Sequence, residues 1–132
     1  MGLDPYFSSS NEQRATGSGR FVRVAELPEL SVAAGLVLQP LVGSGVMISF
    51  ARYEPGAEAP LHAHVEEQVF VVVDGEFDVT LGEETRRMSV GEAAVIPSWV
   101  PHRVRASDAG PATQIDVFCP PREGLLRLLE QV

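Results

Sequence analysis

The sequence predicts an all-β barrel or sandwich followed by a short helix, within a single domain. Short runs of strand-forming residues follow one another and are separated by turn residues, as a small closed β-fold requires. A chain of 132 residues is long enough for one domain that buries about two-thirds of its unfolded surface. The sequence contains no internal repeat that would divide this domain.

Ten candidate strands account for the β-rich part of the chain. Asp74-Gly75 favours a tight hairpin turn, Gly82-Glu83-Glu84 marks the next bend, and Pro55-Gly56 marks a bend before the first histidines. Proline cannot donate to a strand ladder, so Pro120-Pro121 ends the β region. The candidates are residues 21–25, 31–38, 46–53, 61–64, 68–74, 76–81, 85–89, 93–96, 102–106 and 112–118.

The two ends of the chain differ from this β-rich middle. Residues 1–19 are rich in Ser, Gly, Asn and Gln and lack apolar periodicity. We therefore expect a flexible N-terminal tail over residues 1–19 and a folded domain over residues 20–132. After the two prolines, four leucines have a spacing that suits a short amphipathic helix packed on the barrel. They are Leu125, Leu126, Leu128 and Leu129.

Composition excludes several classes of function. Ten basic and 18 acidic residues give a net charge of −8, whereas nucleic-acid binding needs clustered positive charge. All the basic residues are arginines, which excludes a lysine Schiff base or general base. The single cysteine, Cys119, cannot form an internal disulfide, as is typical of a reducing cytosol. The longest apolar run, residues 69–73, is too short for a bilayer, and the N-terminus lacks a signal pattern, so we expect a cytoplasmic protein without a membrane partner.

The three histidines of the chain indicate a metal site. His62 and His64 are two residues apart, and residues at that spacing in a strand point to the same face. Gln68 can join them from the next strand, and His102 is the remaining histidine. Imidazole is the commonest protein ligand for borderline metals, and a carbonyl oxygen suits harder ones. Two alternatives stay open: ordinary buried polar groups without a metal, and a closed structural zinc site.

Two segments around these histidines resemble the signature motifs of the cupin superfamily. The first reads Gly56-x5-His62-x-His64-x3-Gln68-x6-Gly75, and the second reads Gly91-x5-Pro97-x-Trp99-x2-His102-x3-Ala106. The resemblance extends over roughly residues 45–119 and implies a single-domain jelly-roll β-barrel. It also implies a bound divalent metal ion (Zn, Ni, Fe, Mn or Co) with His62, His64, Gln68 and His102 as ligands. Three positions depart from the family: Gln68 replaces the usual Glu, Trp99 the usual Gly, and Ala106 the usual Asn.

Gln68 changes the electrostatics of such a site. A neutral amide leaves a divalent ion about one unit more positive than a carboxylate would, and a unit charge at ~4 Å is worth several kcal/mol. We therefore expect a stronger Lewis acid that attracts anionic oxygen atoms. We also expect weaker retention of the metal, because one anionic ligand is lost.

Other residues are candidates for catalysis. Asp116 and Phe118 are two residues apart on the last candidate strand and so share a face. Asp116 is a candidate general acid or base, unless it is a surface residue of an edge strand. Arg52 and Tyr53 are adjacent, so one of them should face inward, where it could bind a carboxylate or transfer a proton.

Aromatic residues are candidates for the substrate pocket. Phe70 shares the inner face of its strand with Gln68, and the family resemblance places Phe118 in the pocket wall. Trp99 either stacks on a substrate ring at the barrel mouth or packs against the protein. Because tryptophan does not easily adopt a glycine-only backbone conformation, we expect the turn before His102 to differ from the family pattern.

One candidate strand, residues 68–74, bears on the oligomeric state. With Phe70 facing inward, Val69, Val71 and Val73 point outward and need a cover. Either the chain's own N-terminal strands or a second subunit could supply it. Cupins are commonly dimers, so we expect a homodimer.

The function is suggested by a finer resemblance. Gln68, the Asp116-x-Phe118 pair and the following Cys-Pro-Pro-Arg-Glu are similar to small cupins of pectin degradation, which convert unsaturated uronates into linear keto forms. This implies Asp116 as a proton carrier. We predict a metal-dependent isomerase or lyase acting on a small, oxygen-rich, anionic metabolite. The alternatives are an iron dioxygenase and a non-catalytic small-molecule-binding module.

Overall fold

Ten strands and two short helices form the protein in the computed structural model, which describes residues 4–8 and 14–132. Most long strands alternate buried and more exposed side chains, because one face of each sheet packs on the core. The helices are α1 (Asp4–Phe7) and α2 (Glu123–Leu129), and a 3₁₀ turn spans Val24–Glu26. The strands are β1 (Leu30–Ala33), β2 (Leu36–Val42), β3 (Met47–Tyr53), β4 (Glu58–His62), β5 (Glu67–Asp74), β6 (Glu76–Leu81), β7 (Glu84–Ser89), β8 (Ala93–Ile96), β9 (His102–Ala106) and β10 (Ala112–Cys119).

The strands form two antiparallel sheets with a shared core. One sheet has the order β1-β2-β3-β10-β5-β8, and the other has the order β4-β9-β6-β7. Phe77 of the smaller sheet makes edge-to-face contacts with Tyr53 and Phe70 of the larger one, at centroid distances of 4.9 and 6.4 Å. The predicted all-β jelly-roll barrel is confirmed. One end of this barrel contains the histidines.

Three strand predictions were wrong in detail. Residues 21–25 form no strand, because the Gln39 side chain donates to the carbonyls of Val24 and Leu27 at 2.9 and 3.2 Å and holds a 3₁₀ turn there. The predicted strand 31–38 is divided by a turn at Gly35, whose φ of 73° favours glycine. The predicted strand 61–64 ends at His62.

The C-terminal helix agrees with its sequence pattern. Leu125 of α2 is buried in a cluster with Leu30, Met47 and Phe118, and so α2 covers one end of the barrel. The prediction of an amphipathic helix packed on the barrel is therefore confirmed. No helix in the described ranges is long and apolar enough to cross a membrane.

The N-terminal segment is described in part. Residues 1–3 and 9–13 of the predicted tail lie outside the described residues. Residues 14–19 are exposed, and the side chain of Arg20 donates to the carbonyl of Val42 at 2.7 Å. The domain boundary at residue 20 stays a prediction.

Candidate metal centre

The three histidines converge at one end of the barrel. His62, the last residue of β4, pairs in register with His102, the first residue of β9. His64 lies in the loop beyond β4, where its carbonyl accepts the Trp99 N–H at 2.8 Å. One candidate ligand atom from each imidazole lies within 4.8 Å of the others. This group can hold a metal ion.

Backbone carbonyls determine which ring nitrogen faces the centre. Each histidine Nδ1 lies within hydrogen-bond distance of a carbonyl two residues away, and a carbonyl oxygen can only accept. Each neutral imidazole therefore has its proton on Nδ1 and a free lone pair on Nε2. The pairs are His62 with Pro60 (2.7 Å), His64 with Glu66 (3.0 Å) and His102 with Val100 (2.8 Å).

Gln68 adds an oxygen to these nitrogens. Its Nε2 donates to Oδ1 of Asp116 at 2.8 Å, which leaves its Oε1 3.2 Å from Nε2 of His64. Two acceptors thus face each other, an arrangement that a cation between them would stabilise. Within residues 14–132, Nε2 of His102 is buried without a hydrogen-bond partner. This donor set fits a divalent metal ion.

The protonation states agree with this fit. Burial, with a smaller contribution from charge on His62 and His64, lowers the pKa of His102 to about 4, although the hydrogen bond to the Val100 carbonyl opposes the shift. Burial and the positive charge of Arg122 also lower the pKa of His64. Neutral imidazoles are the form that coordinates metals.

Asp116 and Tyr53 supply two buried titratable groups beside the histidines. Burial raises the pKa of Asp116 to about 6, although hydrogen bonds from Gln114 and Gln68 oppose the rise. Burial and the charge of Asp116 raise the pKa of Tyr53 well above its ordinary value, so its phenol stays protonated. The site therefore pairs a carboxylate that can gain or lose a proton with a hydroxyl donor.

These groups line one cavity with a volume of about 300 Å³. Its walls also include Val32, Leu36, Val104 and Leu128, so the polar groups lie at the end of a largely apolar space. The polar groups and aromatic rings in the lining are Tyr53, His62, His64, Gln68, His102, Gln114, Asp116, Phe118 and Arg122.

Arg122 was not among the residues chosen from the sequence. In the described part of the chain it is the one arginine in the cavity wall. A Cβ added at Gly124 would lie 3.1 Å from its Nη1, so the glycine leaves room for the guanidinium. The segment Cys-Pro-Pro-Arg-Glu, noted for its family resemblance, contains this arginine. The sequence did not show that the chain after the prolines returns to the cavity.

Glu66 connects Arg122, His64 and α2. Its carboxylate is buried, and Oε2 accepts the Glu123 N–H at 2.8 Å, at the beginning of α2. The other oxygen, Oε1, lies 3.5 Å from Nδ1 of His64 and 3.7 Å from Nη1 of Arg122. Burial alone would raise the pKa of Glu66, but backbone N–H groups and the charge of Arg122 outweigh it and lower the pKa.

Three of the chosen residues lie outside the cavity. The exposed Arg52 side chain donates to Gln39 and pairs with Glu29 at 3.1 Å on the outer side of the sheet, while Tyr53 faces inward. Phe70 is fully buried in the hydrophobic core, so it supports the cavity without lining it. Trp99 is 64% exposed and lies beyond the cavity wall.

The expectation about the Trp99 turn was wrong. Trp99 has a φ of 67°, a left-handed conformation of the kind that favours glycine. The turn therefore keeps a glycine-like backbone despite the large side chain. The Trp99 N–H, which donates to the carbonyl of His64, helps to hold this conformation.

Comparisons with known proteins agree with this geometry. Residues 49–118 match the cupin domain family model. Over 73 residues the chain is 36% identical to the H2HPP isomerase of Bacillus subtilis, a match that covers 54% of this chain. The chain spans only 30% of the length of that relative.

Two solved structures are similar over most of the chain. KdgF from Halomonas sp. is 29% identical with a TM-score of 0.75, covering 82% of this chain and 99% of that protein. An RmlC-like cupin from Shewanella frigidimarina is 28% identical with a TM-score of 0.74, covering 82% and 96%. The polyketide cyclase RemF from Streptomyces resistomycificus, at 19% identity and a TM-score of 0.69, shares the fold.

Proposed function

The chain belongs to the cupin domain family, and from this starting point we propose that it is a divalent-metal-dependent isomerase or lyase. Its substrate is a small, anionic, oxygen-rich metabolite of the unsaturated uronate type. One observation carries the proposal: the three histidines, Asp116 and Arg122 all line one cavity of about 300 Å³. The similarity to KdgF and to an isomerase supports the reaction class.

Each polar group has a role that its surroundings support. His62, His64, His102 and Gln68 would hold the ion, which when bound would act as a Lewis acid toward substrate oxygens. Asp116 exchanges a proton with substrate carbon or oxygen, and Tyr53 donates a hydrogen bond to developing negative charge. The apolar walls exclude water and so strengthen these interactions.

Arg122 provides the anion specificity. A guanidinium binds a carboxylate through two parallel hydrogen bonds, and the described residues offer Arg122 no hydrogen-bond acceptor. Its nearest carboxylate oxygen, in Glu66, is 3.7 Å away. The substrate carboxylate would complete its hydrogen bonding.

We expect Arg122→Gln to weaken substrate binding with little change in metal content. A lost charge-assisted hydrogen bond costs about 1.5–3 kcal/mol, or roughly 10- to 100-fold in kcat/KM. Steady-state kinetics and elemental analysis measure the two effects. Arg127→Gln is the matched control, since Arg127 lies on the exposed side of α2 and does not line the cavity. An equal loss of kcat/KM in both variants would exclude Arg122 as a substrate-binding residue.

Two measurements test the proposed function directly. Elemental analysis of protein purified without an affinity tag should find one divalent ion per chain. An ultraviolet assay with unsaturated uronates should then show metal-dependent loss of the conjugated double bond. Oxygen uptake with Fe(II) would instead indicate a dioxygenase, and bound metal without turnover on any uronate would indicate a binding module.

We also propose a homodimer formed through the outer face of the larger sheet. Phe50, Ile115 and Val71 lie side by side on β3, β10 and β5 in register, with a parallel row of Ile48, Val117 and Val69 beside them. All six side chains are only half-buried. A contiguous apolar face of this kind is typical of an interaction site.

We expect Ile115→Glu to convert a dimer into a monomer. A carboxylate at the centre of this face would lie unpaired in the interface, at a cost of several kcal/mol. Light scattering coupled to gel filtration measures the mass, and circular dichroism checks the fold. Thr85→Glu places the same charge on an exposed position of β7, in the other sheet, and should leave the mass unchanged. A wild-type monomer at micromolar concentration would refute the proposed interface.

A further inference from the structure

A buried carboxylate that the proposed reaction does not use lies behind one of the three imidazoles. It belongs to Glu66, which is the last residue before β5 and is only 3% exposed. Its neighbour Glu67, the first residue of β5, is exposed. Glutamate is rarely buried in proteins unless its charge is paired. The groups around the Glu66 carboxylate therefore bear on its role.

Contacts on one side of Glu66 keep its carboxylate in place and charged. Oε2 accepts the Glu123 N–H at 2.8 Å, and Oε1 lies 3.7 Å from Nη1 of Arg122. Burial opposes ionisation of the carboxyl group, but backbone N–H groups and the charge of Arg122 outweigh burial and favour the ionised form. Glu66 therefore carries a negative charge at neutral pH.

On its other side, the carboxylate faces the ring nitrogen of His64 that points away from the metal centre. Nδ1 of His64 lies 3.0 Å from the main-chain oxygen of Glu66 and 3.5 Å from its Oε1. Within residues 14–132, His64 is the one histidine with a carboxylate at this nitrogen. A carboxylate behind a metal-binding imidazole fixes the orientation of the ring and raises its basicity.

Oε1 of Glu66 is also incompletely satisfied. It is buried and makes no hydrogen bond within the described part of the chain, which is a costly state for a carboxylate oxygen. Coordination at Nε2 of His64 would place positive charge on the ring and make its Nδ1 proton a stronger donor toward Oε1. The arrangement is therefore better satisfied with an ion bound than without one.

We propose that Glu66 is a positioning residue that supplies, through His64, part of the negative charge that Gln68 does not supply at the metal centre. The inference rests on the metal centre of the proposed function and assigns a further residue to it. Asp116, which contacts Gln68, exchanges a proton in the proposed reaction, so its charge is not constant. Glu66 does not line the cavity, and its charge stays in place during that exchange.

Titration with Co²⁺ tests this role without turnover. The visible absorption of Co²⁺ depends on its ligands, so one titration gives both the affinity and the ligand set. Loss of a group that contacts a metal ligand lowers metal affinity by roughly 10- to 100-fold, and we expect Glu66→Gln to raise the Kd of Co²⁺ by that factor. The spectrum at saturation should match that of the wild type, because no ligand is lost.

Glu67→Gln is the matched control, because it removes the same charge from the adjacent, exposed residue. We expect its Kd to stay within about threefold of the wild-type value, since solvent screens an exposed charge. Glu66→Asp keeps the charge but withdraws it by one methylene, so it should raise the Kd by a smaller factor than Glu66→Gln. The amide oxygen of Glu66→Gln can still accept the Glu123 N–H, and circular dichroism checks the fold.

The outcomes separate this inference from the proposed reaction. Equal Kd values in Glu66→Gln and Glu67→Gln, or in Glu66→Gln and Glu66→Asp, would overturn the role of the Glu66 charge at His64. A changed spectrum at saturation would make Glu66 a ligand, which would also overturn the positioning role. A wild type that binds no Co²⁺ would refute the metal centre and the inference together. The expected Kd values without turnover of any uronate would refute the proposed reaction and keep the role of Glu66.

Discussion

Replacement of His102 by alanine should abolish metal binding and activity together. His102 is buried, its Nε2 has no hydrogen-bond partner in residues 14–132, and it pairs in register with His62 of the neighbouring strand. Loss of an outer-shell partner typically lowers metal affinity by roughly 10- to 100-fold, so loss of a ligand should cost more. Elemental analysis after dialysis measures the metal content.

Thermal unfolding adds a readout that is independent of activity. A ligand at 100 times its Kd stabilises the native state by about 2.7 kcal/mol, so added metal should raise the Tm of the wild type and not that of His102→Ala. Arg103→Ala is the control, because the next side chain of β9 is exposed and pairs with Glu58. If the alanine variant fails to fold, His102→Leu fills the space without a ligand atom. An unaltered metal content in a folded variant would exclude His102 as a ligand.

Replacement of Asp116 by asparagine should impair turnover far more than metal binding. General acid–base catalysis contributes roughly 10²- to 10⁴-fold, and asparagine cannot exchange the proton. Its amide would also face the amide of Gln114, which now donates to both Asp116 oxygens at 2.8 and 3.0 Å. The measurements are kcat with an unsaturated uronate and metal content. Unchanged kinetics would make Asp116 a structural residue.

The contact between Asp116 and Gln68 explains why glutamine replaces the usual glutamate. Two carboxylates 2.8 Å apart could not both ionise, so a carboxylate at position 116 requires a donor at position 68. Asp116 thereby also orients the amide, so that its oxygen faces His64. The negative charge lies on Asp116, where it would be one residue farther from a bound ion and could exchange a proton.

A swap of the two groups separates their roles. In Gln68→Glu/Asp116→Asn the amide would donate to the carboxylate in the reverse direction, so the hydrogen bond is kept. We expect this double variant to hold metal at least as firmly as the wild type, because an anionic ligand returns, and to remain inactive. Gln68→Glu alone places two carboxylates side by side. We expect one of them to be protonated, so that the pair carries a single negative charge. Recovery of activity in the double variant would contradict the role of Asp116.

The sequence predicted the fold and the convergence of the three histidines, because strand patterns and a family motif carry both. Alternating apolar residues and turn signals placed seven of the ten candidate strands within one residue of their observed bounds. The family motif predicted that His64 and His102 join His62, whereas strand alternation did not apply to His64, which lies in the loop beyond β4. Strand alternation placed Asp116 and Phe118 on one face of β10, and the structure shows that this face is buried.

Long-range contacts explain what the sequence did not show. Side chains alternate along β3, so the sequence allowed either Arg52 or Tyr53 to face inward. Only the sheet pairing placed Tyr53 in the cavity. Arg122 follows two prolines, and its return to the cavity depends on the packing of α2 against the barrel end. The segment 21–25 has strand-like residues, but the side chain of Gln39, 15 residues farther along the chain, donates to the carbonyl of Val24.

The main-chain acceptors of the three Nδ1 protons have a consequence for divergence. A substitution changes a side chain and leaves the carbonyl of its own residue in place, so the rings keep their orientation while the surrounding walls mutate. Descendants of this chain can therefore exchange wall residues for new substrates while the three imidazoles still face one point. A fixed orientation of the three imidazoles with a variable pocket around them allows one fold to support many reactions.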